Sequence, residues 1–539
     1  MYMSHKFKKT FLPLMGLFFT SLLVGCGGGG GNSSPAPQRP STSPPPPSQP
    51  TWTAGVYAPS NQFVARCEAP RSGTDPFTGE VFPDRAGSAL TEKLWLRSWT
   101  NETYLWFDEV PDNNPNNFSI PDYFDQLKTD AVTASGELKD NFHFSQSTAE
   151  YNQRTQSGTS SGYGISWEFV ANTAPRELIV RYTEPNSPAA RAGLPRGASL
   201  KRIDGIDFVN TNDGDEIDAI NAALFSGDPG AVHTFELVTA SNEPLSVELT
   251  STVVALSPVQ NVNVFDTAAG RIGYMQFNSF ISPAQPGLIS AFQRFVDDTV
   301  TDVIIDLRYN GGGLLALSSQ IAYMIAGPNQ TNNRIFEQLV YNSKTANPPG
   351  TPFYDREIDY VNGVFTSNDL PSPELARVFI LSSENTCSAS ESLINSLLGI
   401  DVEVVLIGDT TCGKPFGFVP EDNCGTTYFT IQFQGVNAKG FGEFSDGFSP
   451  VASPVFQDQV LGCTVADDFS NPLGSVDEAL LSTAIYFAEN NECPSIAPQP
   501  ASLNKRDRND PDGRAIRTPN PYLDAIINED RSMMGKGVN

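Results

Sequence analysis

The chain has 539 residues, of which 39% are hydrophobic and 18% charged. At about 100–200 residues per domain this allows roughly three to five domains, and the apolar fraction suffices for packed cores, which excludes wholesale disorder. The net charge is −27, from 34 Lys and Arg against 61 Asp and Glu, and such a polyanion repels phosphate backbones, so sequence-independent nucleic-acid binding is a poor reading. With only His5, His143 and His233 present, a His-rich zinc site is nearly excluded.

Residues 1–25 read as an export leader. Lys6, Lys8 and Lys9 form a positive start, and Phe11 to Val24 is apolar but too short for a comfortable span. The stretch Leu23-Val24-Gly25-Cys26 resembles a bacterial lipobox, which implies cleavage before Cys26, lipidation of that cysteine and a place in the cell envelope, periplasmic or outer-membrane associated. Residues 26–54, rich in Gly, Ser and Pro, cannot bury apolar surface and are expected to form a solvated tether. Beyond Cys26 the cysteines are Cys67, Cys387, Cys412, Cys424, Cys463 and Cys493. Outside a reducing cytosol an even number suggests disulfides. Cys412 and Cys424, the closest in sequence, are the pair expected to close a short loop near Lys414, with the remaining pairing open. No C-x-x-C occurs, and neither metal nor organic cofactor is expected.

Residues 55–150 are read as a small helical N-terminal domain. Leu94, Trp95, Leu96, Trp99, Leu105 and Trp106 cluster on a largely buried helix over Leu90 to Phe107, and a second helix starts after Pro121. Residues 160–255 are β-rich. Strands are expected over Gly164 to Phe169, Glu177 to Tyr182, His233 to Val238 and Leu245 to Leu249, with a Pro-started turn of helix at Ser187-Pro188-Ala189-Ala190 and a hairpin signal at Asp204-Gly205. The loop Gly162-Tyr163-Gly164-Ile165, followed by Ser-Pro-Ala, Ala-Gly-Leu and Asp-Gly in that order, resembles a PDZ domain of bacterial proteases. The resemblance implies that Gly162, Tyr163, Gly164 and Ile165 receive the carboxylate of a substrate C-terminus.

Residues 262–490 alternate strands and helices, the pattern of a mainly parallel sheet covered on both faces. Strands are expected over Arg271 to Phe277, Val300 to Asp306, Val378 to Leu381 and Val402 to Ile407, and helices over Leu288 to Val296, Leu314 to Ile325 and Ser388 to Leu398. Residues 495–539 are polar and are read as a surface extension. The fold class is therefore multidomain α/β: a helical unit, a PDZ-like unit and an α/β unit.

Three stretches follow strands of the α/β unit: Asp306-Leu307-Arg308-Tyr309-Asn310-Gly311-Gly312-Gly313, then Thr386-Cys387-Ser388-Ala389-Ser390-Glu391, then Thr411-Cys412-Gly413-Lys414. The C-terminal edge of an open sheet is where such folds place their sites. Their order and spacing resemble the S41 family of serine peptidases, the C-terminal processing proteases, whose catalytic domain has a crotonase-like core. The resemblance implies that Ser388 is the nucleophile and Lys414 its general base. It also implies that the N–H groups of Gly312 and Ala389 form an oxyanion hole, and that Glu391 contacts the lysine.

Elementary chemistry allows those roles. A serine hydroxyl needs a neighbour to take its proton, and a lysine can do so only when burial pulls its proton affinity down by several units. Phe416 and Phe418 are expected to supply that burial. Two departures from the family pattern stand out: Phe418 replaces a polar residue four after the lysine, and Gly399 replaces an Asp eleven after the serine. They leave the lysine's orienting partner open between Glu391 and a polar group beyond residue 420. Each motif alone has a plainer meaning; Ser388 with Glu391, for instance, spells a capping box. The expected function is a lipid-anchored serine endopeptidase whose partners are proteins or peptides with free C-termini. Its rivals are a catalytically inactive tail-binding scaffold and a crotonase-like enzyme acting on acyl-thioesters.

Overall fold

The computed structural model describes residues 50–495, apart from 134, 135 and 137, together with residue 516. The leader, Cys26, the tether up to residue 49 and nearly all of the C-terminal extension lie outside the described residues.

A seven-stranded sheet organises the α/β part. Its spatial order is Val259–Thr267, Gly270–Phe277, Asp302–Asp306, Arg377–Ser382, Glu403–Gly408, Gln459–Thr464 and Ser449–Val451. The first two strands are antiparallel and the rest run parallel. Unbroken apolar runs such as Val303-Ile304-Ile305 and Val404-Val405-Leu406-Ile407 make such strands because both faces are covered. Val303 and Ile305 face one core, with Phe292 and Phe295 of the helix Gln285–Asp297, Ile321 of Leu315–Thr331 and Leu393 of Ala389–Gly399. Ile304 and Val405 face a second core with Leu481 and Phe487 of Ala479–Asn490. Parallel strands bring their C-terminal ends to one edge, and the three motif loops gather there.

The β-rich part is a six-stranded sheet ordered Pro244–Thr250, Val232–Val238, Ser199–Ile203, Glu177–Thr183 and Ile165–Ala171, with Ile206–Asp207 on Ser199–Ile203. Ile165–Ala171 lies at one edge and Pro244–Thr250 at the other. Arg196 joins this sheet to the α/β part, donating to Asp467 at 2.6 Å and to the Tyr309 hydroxyl at 2.7 Å. Contact is close enough that a Cβ on Gly197 would lie 2.2 Å from the Phe469 carbonyl oxygen. Ile516 departs from the expected surface extension: it is buried in the core of this sheet and donates its N–H to the Asn172 carbonyl.

The N-terminal residues are less helical than expected. The helix Ala89–Thr103 starts at a Ser88 N-cap and stops at Tyr104, short of Phe107. The second helix, Ile120–Asp125, has only six residues. The strand Phe144–Ser147 pairs with Thr426–Phe429 of the α/β part, and its Phe-Ser-Gln-Ser sequence carries too little apolar alternation to announce a strand. Among the described residues no helix is long and apolar enough to cross a membrane.

The expected Cys412–Cys424 pair does not form. The disulfides are Cys67–Cys424, Cys387–Cys412 and Cys463–Cys493. Nearness in sequence misled because the fold brings residues 65–67 to the hairpin that holds Cys424: Trp95 and Trp99 pack on Tyr428, and Asn423 accepts the Ala65 N–H. Peptide mapping without reductant is expected to recover these three pairs; a Cys412–Cys424 peptide would contradict the fold. Replacing Cys67 and Cys424 by Ser removes a cross-link spanning 357 residues and is expected to lower stability by about 2–4 kcal/mol in urea unfolding.

Candidate active site

The first loop is anchored by a buried charge cluster. The Arg308 guanidinium donates to Asp306 at 2.9 Å, to Glu478 at 2.6 Å and to Asp467 at 2.8 Å. Losing one partner would leave an uncompensated buried charge, so the backbone leaving the strand Asp302–Asp306 is held in one course. Four residues on, Gly312 has φ +107°, and a Cβ there would stand 2.9 Å from both the Ser388 Cβ and the Ala389 nitrogen. The glycine is thus required by close approach as well as by conformation. Its N–H donates to Asn310 Oδ1 at 2.9 Å.

Ser388 is the N-cap of the helix Ala389–Gly399, with φ 59° and ψ −111°. That backbone state costs of order 1–3 kcal/mol and persists only where surroundings impose it. Here Glu391 accepts the Ser388 N–H at 2.9 Å, while Ser388 Oγ is buried without a hydrogen-bond partner among the described residues. A plain capping serine would use its hydroxyl to accept a helix N–H. This one does not.

Lys414 lies on the third loop and is 1% exposed. Its Nζ sits 3.8 Å from the centre of the Phe418 ring and 5.2 Å from that of Phe142. Burial holds its amine well below the usual lysine range, opposed by the nearby charges of Asp140 and Glu391. The sequence reading named Phe416 and Phe418 as its neighbours. Phe418 is one, but Phe416 packs edge-on against Trp106 at 4.8 Å, and the second ring comes from Phe142, some 270 residues away in sequence and invisible to local motif reading. The Phe418 departure thus has a physical sense, since a phenyl ring desolvates the amine where a polar side chain would solvate it. Gly399 abuts Asn437, whose Cβ would lie 2.9 Å from an added Cβ, leaving no room for an aspartate.

Glu391 ties the second loop to the third. Its Oε1 accepts from the Thr411 hydroxyl at 2.6 Å and the Gly413 N–H at 2.8 Å, and its Oε2 from the N–H groups of Lys414 at 2.8 Å and Ser388 at 2.9 Å. Burial nevertheless pushes its carboxyl above the ordinary range. The sequence reading brought Glu391 to the lysine, and these bonds bring it to the lysine's backbone. The Cys387–Cys412 disulfide makes a second tie, from the residue before Ser388 to one two before Lys414. Cys387, Glu391 and Cys412 converge closely enough to suggest metal ligands, but both sulfurs are spent in that bond. His143 is buried with Nε2 2.9 Å from the Phe124 carbonyl, and burial pulls it down to about 4, so it is neutral at physiological pH. His233 pairs with Asp204 at the β-rich surface. The loop Gly162 to Ile165 leads into the strand Ile165–Ala171, with Gly162 at φ 141° and Gly164 at φ 74°.

The buried amine has a consequence independent of any activity. Unfolded, Lys414 binds a proton below about pH 10.4; folded, its depressed affinity leaves it unprotonated down to a much lower pH. Between those limits the unfolded state holds more protons, so stability rises with pH. Lys414→Met is therefore expected to raise the urea midpoint at pH 7, with the advantage shrinking towards pH 10. A variant less stable than the parent throughout that range would show that the amine is charged in the fold.

Residues 271–420 match the model of peptidase family S41. The carboxyl-terminal-processing protease of Synechocystis sp. is 29% identical over 264 residues, covering 49% of this chain and 55% of that protein. The protease of the same name from Picosynechococcus sp. is 25% identical over 343 residues, covering 62% of this chain and 76% of the relative. A crystal structure from Bacteroides fragilis NCTC 9343, assigned to the S41 proteases, superposes with a TM-score of 0.54 at 22% identity, over 73% of this chain and 96% of the other, which speaks for a shared fold. The matched segment contains all three loops of the site, and it is through this segment that the chain is similar to peptidase family S41.

Proposed function

We propose that the chain is a serine endopeptidase acting on proteins or peptides, with Ser388 as nucleophile and Lys414 as general base. One observation carries the reading. A buried amine with depressed proton affinity and a buried hydroxyl without a partner stand on two loops that share the Glu391 carboxylate. Lys414 Nζ takes the Ser388 proton as Oγ bonds to the scissile carbonyl carbon, and the ammonium then protonates the departing amine. Water repeats the sequence to release the acyl group. The oxyanion meets the Ala389 N–H, at the positive end of its helix, and the Gly312 N–H, which must first exchange its bond to Asn310 Oδ1.

Substrate tails are held at the PDZ-like sheet. Its edge strand Ile165–Ala171 offers unpaired backbone groups to an extended chain, and the loop Gly162 to Ile165 takes the terminal carboxylate. Residues 1–25 direct export and Cys26 carries a lipid, so the enzyme works tethered in the cell envelope. We assign the remaining domains to 55–150, 160–255 and 262–490, with the first contributing Phe142 to the lysine's surroundings.

Ser388→Ala and Lys414→Ala are each expected to reduce casein or peptide hydrolysis by at least about 10³-fold, with far-UV spectra unchanged. A fluorophosphonate probe should label the parent and not Ser388→Ala. Near-normal hydrolysis by folded Lys414→Ala would refute the dyad. For the tail-binding loop, amidating a substrate's C-terminus is expected to raise KM while leaving kcat nearly unchanged, and equal KM values would remove that role.

A further inference from the structure

We infer that Asp140, on the N-terminal part of the chain, is a positioning residue for the Lys414 amine, a role that rests on the Ser388–Lys414 reading above. The amine's surroundings carry two carboxylates, those of Asp140 and Glu391. Both Glu391 oxygens are engaged by Ser388, Thr411, Gly413 and the Lys414 backbone, so that carboxylate serves the loops. Asp140 is fully buried and held from three sides: the Tyr104 hydroxyl donates to Oδ2 at 2.7 Å, and the N–H groups of Phe142 and His143 donate to Oδ1 at 2.9 and 3.1 Å. The same turn sets the Phe142 ring 5.2 Å from Lys414 Nζ. Tyr104 and Phe142 share one apolar cluster with Cys387, which precedes Ser388, and with Phe416 and Phe418, which follow Lys414.

The physical need is specific. When Ser388 Oγ loses its proton, an Nζ–H bond forms and an ammonium arises where water is excluded. An unaccompanied buried cation is costly, and a fixed carboxylate offsets that cost without reorganising. Burial lowers the amine's proton affinity, and Asp140 is the stronger of the two charges that oppose it. The other titratable groups of the turn are neutral: burial keeps His143 unprotonated, with Nδ1 4.0 Å from Asp140 Oδ2, and raises the Tyr104 phenol far beyond its usual range.

The test is the pH profile of kcat/KM for the full-length enzyme on a peptide substrate. Asp140→Asn keeps the acceptor for the two backbone N–H groups and deletes the charge. The acid limb, set by protonation of the free enzyme's lysine, is expected to move down by about one pH unit or more, and the plateau to fall about 10–100-fold. Asp140→Glu should move the limb back towards the parent's. A purely structural role would lower the rate equally at every pH, and an unmoved limb overturns the inference whether or not the rate drops. Should Asp140→Asn fail to fold, Tyr104→Phe replaces it: losing its donor leaves the carboxylate more strongly attractive, so the limb should move up, and an unmoved limb again overturns the assignment. Active Lys414→Ala would instead sink the dyad itself, so the two failures are distinguishable.

Discussion

The amino group of Lys414 has been withdrawn from water, and much of the surrounding architecture answers the demands this makes. An ammonium of ordinary proton affinity cannot accept a proton at neutral pH, while a neutral amine can. Burial against Phe418 and Phe142 favours the neutral form because the charged form would lose its hydration. Neither ring suffices from its own segment. One is four residues beyond the lysine; the other must be delivered by a distant turn, which explains why the N-terminal part is woven into the α/β part by a strand pairing and by the Cys67–Cys424 bond.

A second constraint is positional. Ser388 sits in a backbone state that its own sequence does not favour, and Glu391 holds it there while holding the lysine's loop with the same carboxylate. The Cys387–Cys412 bond spans the same gap covalently, so the relative placement of the two loops is over-determined. The first loop is tied on both sides. Arg308 anchors it to the sheet through three carboxylates, and Tyr309, next in sequence, meets Arg196 of the β-rich sheet. A tail captured at that sheet would therefore sit on a body in direct contact with the loop that carries Gly312.

Much of this was legible in the sequence because local signals agreed with the global fold. Apolar runs marked four of the parallel strands to within a residue or two but not Gln459–Thr464 or Ser449–Val451, and the glycine-rich turn after Asp306 and the Ser-x-x-Glu helix start marked two of the three loops. What could not be read came from long-range juxtaposition. Phe142 and Asp140 lie in a segment without periodicity, and nothing in Asn-Phe-His-Phe announces contact with residue 414. The disulfide pairing failed for the same reason, since sequence proximity is a weak guide once a hairpin has been paired with a distant strand. Helix ends were missed where a distant partner takes over the backbone: the first helix stops at Tyr104, where the chain turns extended and the Leu105 N–H donates to the Ile431 carbonyl. The Ser388 capping-box reading was half right, because Glu391 plays its part and the serine hydroxyl does not.

That this amine is uncharged at working pH is open to direct observation. With Ser388→Ala protein labelled with 13C at lysine Cε, the Lys414 resonance can be assigned by comparison with Lys414→Met and followed through a pH titration. A neutral Lys414 amine is expected to appear as a single lysine titrating well below the ordinary range near 10.4 and already neutral at pH 8. A Lys414 signal titrating with the surface lysines would mean that the site holds an ammonium, and neither the proposed base nor its aspartate partner would survive that result.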